Sequence, residues 1–244
     1  MSAAVDQSDR RGRNGRVALC AGVIAALLGV GASMARAAVP DLTGPWQAES
    51  GDQPLRTVDG GTPPLSAAGQ KTWQQTQALY KSNPGADPIQ DCLPPGVPRV
   101  MLQPFPFNIV QGKRTILMLL QWNHLTRFIF MDRGHFPVPL GPAYLGQSVG
   151  HWEGDTLVVD TNNYNDTTWL DDAGLPHSDQ LTTLERIRLV DGGRKLEDRI
   201  TFTDPAMYQR PWTARLLFDQ RPGAIIQEDY CLGRLGKGRS VVDP

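Results

Sequence analysis

The chain has little of what most chemistry-bearing motifs need. It carries three cysteines and four histidines in 244 residues. No two cysteines form a Cys-x-x-Cys, and His124, His135, His151 and His177 are dispersed, with no His-x-His or His-Glu-x-x-His. Metal centres draw on such clusters at ligand spacing, so no metal is expected. A Gly-rich phosphate loop and a dinucleotide fingerprint are both missing, which argues against a bound nucleotide, and no cofactor is expected. Charge of one sign is lacking too: 24 Lys and Arg face 25 Asp and Glu. Without a basic stripe interleaved with aromatics, nucleic acid is not an expected partner. The long apolar run of a membrane span is also absent, since Val17 to Gly31 is too short to cross a bilayer comfortably.

That short run has a different reading. Arg10, Arg11, Arg13 and Arg16 precede it, and Ala35-Arg36-Ala37 follows it as an A-x-A site. This is the pattern of a secretory signal peptide over residues 1–37. Cys20 lies inside the run behind Leu19, so a lipid anchor is not expected. The mature chain, residues 38–244, is then exported to a bacterial periplasm or beyond. Two cysteines remain in it, Cys92 and Cys231, and an even pair in an oxidising compartment favours a disulfide.

The mature chain is long enough for one domain with a sizeable core. Residues 38–106 are rich in Pro and Gly and read as an N-terminal arm, interrupted by one helix over Ser66–Tyr80 with Ser66 as its N-cap. Residues 107–236 read as a meander of β-strands. These are Phe107–Gln111, Thr115–Trp122, Thr126–Asp132, Gln147–Glu153, Thr156–Asp160, Leu181–Val190, Lys195–Thr203, Trp212–Asp219 and Ile225–Cys231, joined by turn-forming Gly and Asp residues. Closure into a barrel is the natural way to remove the edges of so many strands. The expected fold is therefore all-β, an antiparallel barrel. The Gly44-Pro45-Trp46 triplet resembles the opening strand of calycin and lipocalin barrels.

Alternation sorts each strand into two faces. Three ionisable groups fall on otherwise apolar faces: Arg127 with Ile129 and Met131, Glu185 with Ile187 and Leu189, and Asp198 with Leu196, Ile200 and Phe202. A charge on a core face is costly unless it is paired or lines a wet cavity. Two readings follow. One is a buried ion pair, Glu185 or Asp198 with Arg127 or Arg215. The other is a lumen that holds a small molecule beside a carboxylate acting as base.

The densest polar stretch is Gly150–Arg188, with Asp155, Asp160, Asn162, Asn165, Asp171, Asp172, His177 and Glu185 among its members. Many of these are turn formers as well as candidate site residues. Gly146-Gln147-Ser148-Val149-Gly150 has the letters of a nucleophile elbow but is followed by β pattern rather than a helix. General acid–base chemistry on an apolar substrate needs only a placed His or carboxylate, some donors and a dry pocket. His177 and Glu185 are the candidate bases. Arg127, Asn162, Asn165 and Tyr208 are candidate stabilisers of developing negative charge. Trp46, Trp122, Trp152, Trp169 and Trp212 suit either the core or an aromatic ligand.

At CLPPGVPRVM, SVGHWEGDTLVVDTNNYNDTTWLDDAGLPHSDQLTTLER and DPAMYQRPW the chain resembles a family of exported, mostly uncharacterised proteobacterial proteins. Asp179 stands where that pattern has Glu. The resemblance implies, through similarity to γ-formaldehyde lyases acting on phenylcoumaran-type lignin dimers, a cofactor-independent carbon–carbon lyase. The alternatives are a periplasmic binding protein for an apolar small molecule and an isomerase or hydrolase of a hydrophobic substrate. Oligomeric state and substrate identity are not read from the residues.

Overall fold

The computed structural model describes residues 39–50, 54–131 and 141–231, all within one compact unit spanning Ala37–Pro244. The expected signal segment 1–37, His135 and the ends of the expected strand to Asp132 and of the expected meander to 236 lie outside the described residues.

Nine strands close into a barrel. They are β1 (Gly44–Ala48), β2 (Phe107–Gln111), β3 (Thr115–Leu120), β4 (Thr126–Met131), β5 (Gln147–Glu153), β6 (Thr156–Asn162), β7 (Thr182–Val190), β8 (Lys195–Thr203) and β9 (Trp212–Gln220). The all-β barrel expected from the sequence is what the chain forms. Two details differ. First, the sheet is mixed, because β4 and β5 run parallel, with Ile129 opposite Ser148 and Met131 opposite Gly150. A closed ring of sequential neighbours alternates direction throughout only if the strand number is even, so nine strands oblige one parallel seam. Second, Ile225–Cys231 is not a strand. Both edges of β9 are already taken, by β8 and by β1, and a strand has only two edges to offer. The tail is held instead by side chains of the 121–124 turn: Asp229 N–H donates to His124 Nε2 at 2.7 Å and Gln227 N–H to Gln121 Oε1 at 3.2 Å. The ninth strand is β1, so the Gly44–Trp46 triplet does open the barrel.

The inner face follows the expected alternation. Trp46, Phe107, Ile109, Ile116, Met118, Leu120, Ile129, Val159, Ile187, Ile200, Phe202 and Phe218 are buried together. Each fully buried side chain of this size contributes about 1.5–3 kcal/mol. Between β1 and β2 the described residues alternate irregular, Pro-containing chain with short helices. These include α1 (Ala67–Ser82) and the single-turn α2 (Arg99–Leu102). Ser66 caps α1 by accepting from Gly69 N–H at 3.0 Å. Gly69 is there because α1 is seated directly on the segment after β8: a Cβ at this position would lie 2.1 Å from Met207 O.

Cys92 and Cys231 form a disulfide with Cα atoms 5.5 Å apart. It ties the arm to the C-terminal tail rather than to a last strand. No helix among the described residues is long and apolar enough to cross a membrane.

Candidate functional site

β4 delivers Arg127 to the lumen, where its guanidinium is surrounded on all sides. Nη1 donates to Glu185 Oε1 at 2.8 Å and Nη2 to Glu185 Oε2 in a fork. Nε and Nη2 also donate to Ser148 Oγ at 3.2 and 3.1 Å, and Nη2 to Thr161 Oγ1 at 3.0 Å. Ser148 and Thr161 are hydrogen-bonded to each other at 2.9 Å. The ion-pair reading of the alternation is thus the one that the structure displays, with Glu185 as the partner of Arg127. Burial alone would pull Arg127 down. The charge and hydrogen bonds of Glu185 outweigh that and raise its pKa, keeping it a cation. Ser148 sits within β5, one residue from its start, with its hydroxyl committed to this network, so the nucleophile-elbow letters carry no such geometry.

Asp198, from the neighbouring β8, completes the centre. It is buried, and neither carboxyl oxygen has a hydrogen-bond partner among the described residues. Burial and the adjacent Glu185 charge push its pKa well above the usual carboxylate range, against the opposing pull of Arg127. Asp198 therefore holds its proton where an ordinary Asp would not. A group whose folded pKa is raised contributes stability below its unfolded pKa, near 3.9, and that contribution is lost as pH rises through the folded value. Asp198→Asn removes the titration and keeps the shape. The variant should melt higher than the parent at pH 7, with the difference shrinking toward pH 4. Melting curves across that range check this, and a difference that stays constant with pH would show that Asp198 is ionised in the fold.

Tyr164 lies beside this centre, its hydroxyl hydrogen-bonded to Thr183 Oγ1 at 2.8 Å. Burial pushes its pKa up to about 12, so it stays neutral.

The remaining sequence candidates lie elsewhere. His177 is buried rather than in an exposed loop. Its Nδ1 is 3.1 Å from Ser178 O, which fixes the proton there, and its Nε2 accepts from Thr168 Oγ1 at 2.7 Å. Burial lowers its pKa, so it is a neutral imidazole with both nitrogens engaged. Tyr208 donates to Pro176 O at 2.8 Å, and burial raises its pKa. Asn165 accepts from Thr167 N–H and its hydroxyl, closing a turn. Asn162 is exposed on the outer face of β6. The polar stretch proves to be largely structural. Asp171 accepts from Leu55 and Leu175 N–H, Asp172 pairs with buried Arg99, and Ser178 donates its N–H and hydroxyl to Asp204, which follows β8. Of the candidate bases and stabilisers in that stretch, Glu185 alone enters the lumen centre, joined there by Thr161. Sequence reasoning placed Asp198 on the core face without making it a candidate. It missed Ser148 and Thr161 as Arg127 ligands, although both are polar residues at inward positions of their strands.

A cleft adjoins Arg127. β4 and β5 pair only from Ile129 and Ser148 onward. Ahead of that point the two segments diverge and leave a cavity of about 280 Å³ lined by Pro94, Leu125, Arg127, Phe128, Tyr144, Leu145 and Gln147 among others. Apart from Arg127 and Gln147 its wall is mostly apolar. Phe128 is half exposed at the rim, stacked on Phe130 with ring centroids 6.3 Å apart. Gly146 adopts φ +66° where the chain turns into β5, and a side chain there would collide with Thr161 and Tyr164. Arg127 is thus common to the cleft lining and the lumen centre. Among the described residues no group of three or more His, Cys, Asp or Glu is arranged to hold a metal. No protein-family model matches the chain, and a search of curated proteins finds no match.

Proposed function

We propose that this chain binds a small aromatic or apolar molecule in the cleft between the start of β4 and residues 143–147. The observation that carries the reading is the opening itself: an apolar-walled cavity at the unpaired end of the parallel seam, rimmed by Phe128 and floored by Arg127. Its volume is near the lower end of small-molecule sites, about 300–1,000 Å³, so one or two rings fit better than a long chain. Aromatic rings gain from Phe128 and Tyr144 and from the cation behind them. The disulfide and the A-x-A leader support an exported, periplasmic protein.

A second reading, lyase chemistry, is favoured by Asp198, a protonated carboxyl beside the Arg127–Glu185 pair. This reading requires the substrate to enter the lumen beyond the cleft; there the γ-hydroxyl proton of a phenylcoumaran-type dimer would pass to Glu185. The Cβ–Cγ electron pair becomes the Cα=Cβ double bond, and formaldehyde leaves. The Cα–O bond breaks onto the phenoxide, which takes the Asp198 proton beside Arg127. The products are formaldehyde and a stilbene, with no cofactor consumed.

One titration separates the readings. Purified protein is mixed with monocyclic phenols and phenylcoumaran-type dimers while tryptophan fluorescence, formaldehyde and stilbene absorbance are followed. Saturable binding that Leu125→Asp abolishes, with every compound left intact, supports the binding module and removes the lyase. Formaldehyde and stilbene in equal amounts, lost in Asp198→Asn, support the lyase. Absence of saturable binding by any compound sinks both.

A further inference from the structure

The outer face of β7, β8 and β9 carries an unusual row of like charges. Arg186 on β7 is the cross-strand partner of Arg199 on β8, and Arg199 is the partner of Arg215 on β9. Arg188 lies one inter-strand row away, opposite Glu197. All four side chains are 43–47% exposed. Three of them converge on one carboxylate: Arg188 donates to Glu197 at 2.8 Å, Arg199 at 3.3 Å, and Arg215 contacts its other oxygen. Arg186 pairs with Glu153 at 2.9 Å. Four guanidiniums thus share two carboxylates, leaving two positive charges on one face of a chain whose formal net charge is −1. Like charges placed directly opposite across strands are destabilising. Glu197 and Glu153 offset that repulsion in part, and the face keeps room for further anionic partners of its guanidiniums.

We propose that this face is a docking surface for a linear acidic polysaccharide, its carboxylates forked on Arg186, Arg199 and Arg215. Strand spacing sets the row. Neighbouring strands are about 4.8 Å apart, so the three stems cover roughly 10 Å in a line across the sheet. A polyuronate carries one carboxylate per sugar along a chain of comparable repeat, and guanidinium binds carboxylate in a planar fork. Thr201 and Thr213, hydroxyls 2.8 Å apart on the same outer face, offer partners to sugar hydroxyls. An anionic bilayer fits less well. Net attraction there is about 1 kcal/mol per basic residue, and it makes no use of the row's linear spacing. A nucleic acid fits less well too, since this row presents no aromatic residue for base stacking.

The test uses the full mature chain and a short oligogalacturonate, titrated calorimetrically at low salt. The expected result is saturable binding that weakens as ionic strength rises. Arg199→Gln should weaken it about fivefold, and Arg186→Gln with Arg199→Gln about twentyfold, the range of partly exposed ion pairs. Glu197 keeps Arg188 and Arg215 in both variants, and unchanged melting confirms that they are folded. Glu197→Gln, which unmasks the arginines, should bind more tightly than the parent. A neutral maltooligosaccharide that binds equally well would overturn the proposal. So would affinity for oligogalacturonate that Arg199→Gln leaves unchanged. Adsorption to phosphatidylglycerol vesicles without oligogalacturonate binding would reassign the face to lipid, and absence of binding to both would show that the row serves Glu197 alone.

Discussion

Arg127→Gln should cost the barrel about 3–5 kcal/mol, the usual result of removing one partner of a buried ion pair. The loss has a signature that packing damage does not. Without the guanidinium, Glu185 is a buried carboxylate beside Asp198, and it can avoid the burial penalty only by taking up a proton. Stability lost at pH 7 should therefore return as the pH falls toward 4. Urea unfolding at two pH values measures this. The double replacement Arg127→Met with Glu185→Leu should regain much of the loss, because an apolar pair of similar volume needs no counter-charge. A loss below about 1 kcal/mol that does not vary with pH would show that the lumen is wet enough to solvate either charge alone, which would favour a ligand-filled interior.

Reducing the Cys92–Cys231 bond should have an effect of similar size. The closed loop spans 139 positions, and the chain-entropy model assigns about 5 kcal/mol to a loop of that length. Part of the change should be local. The tail that carries Cys231 has no ladder bonds and is fixed to the 121–124 turn by Asp229 and Gln227. On reduction it should gain rapid amide exchange before the barrel does. Two titratable thiols in denatured but unreduced protein would refute the pairing outright.

Much of the barrel was legible because its strands are half-buried. Alternation put Arg127, Ile129 and Met131 on one face and Phe128 and Phe130 on the other, and burial follows that division. Gln147–Glu153 and Lys195–Thr203 needed no change of boundary. The misplaced ninth strand and the parallel seam are both non-local facts. Nothing within Ile225–Cys231 reveals that β1, far away in sequence, already occupies the free edge of β9. The site was legible only in part, for a related reason. Periodicity gives the face of Glu185 and Arg127, but not that the two side chains meet. His177, Tyr208 and Asn165 carry suggestive chemistry in sequence, yet their polar atoms answer backbone groups and turn hydroxyls, as buried irregular segments demand. Asp198 was visible as an anomaly on a core face, but burial within the closed barrel and the neighbouring Glu185 charge, which together raise its pKa, are three-dimensional facts.

The position of β1 also governs when this molecule can finish folding. β5 to β9 each pair with the strand next in sequence and can form as each connection closes, the β6–β7 connection being the longest. β1 leaves the ribosome before all of them, yet its partners are β2, about 60 residues later, and β9, about 170 residues later. Loop-closure entropy makes such long-range pairing late. The first strand synthesised is therefore the last to be zipped in. Until then β2 and β9 each present an unpaired edge, the exposure that promotes intermolecular pairing. Weakening Trp46, the buried anchor of β1, should accordingly raise aggregation during refolding more than it lowers the stability of the finished barrel.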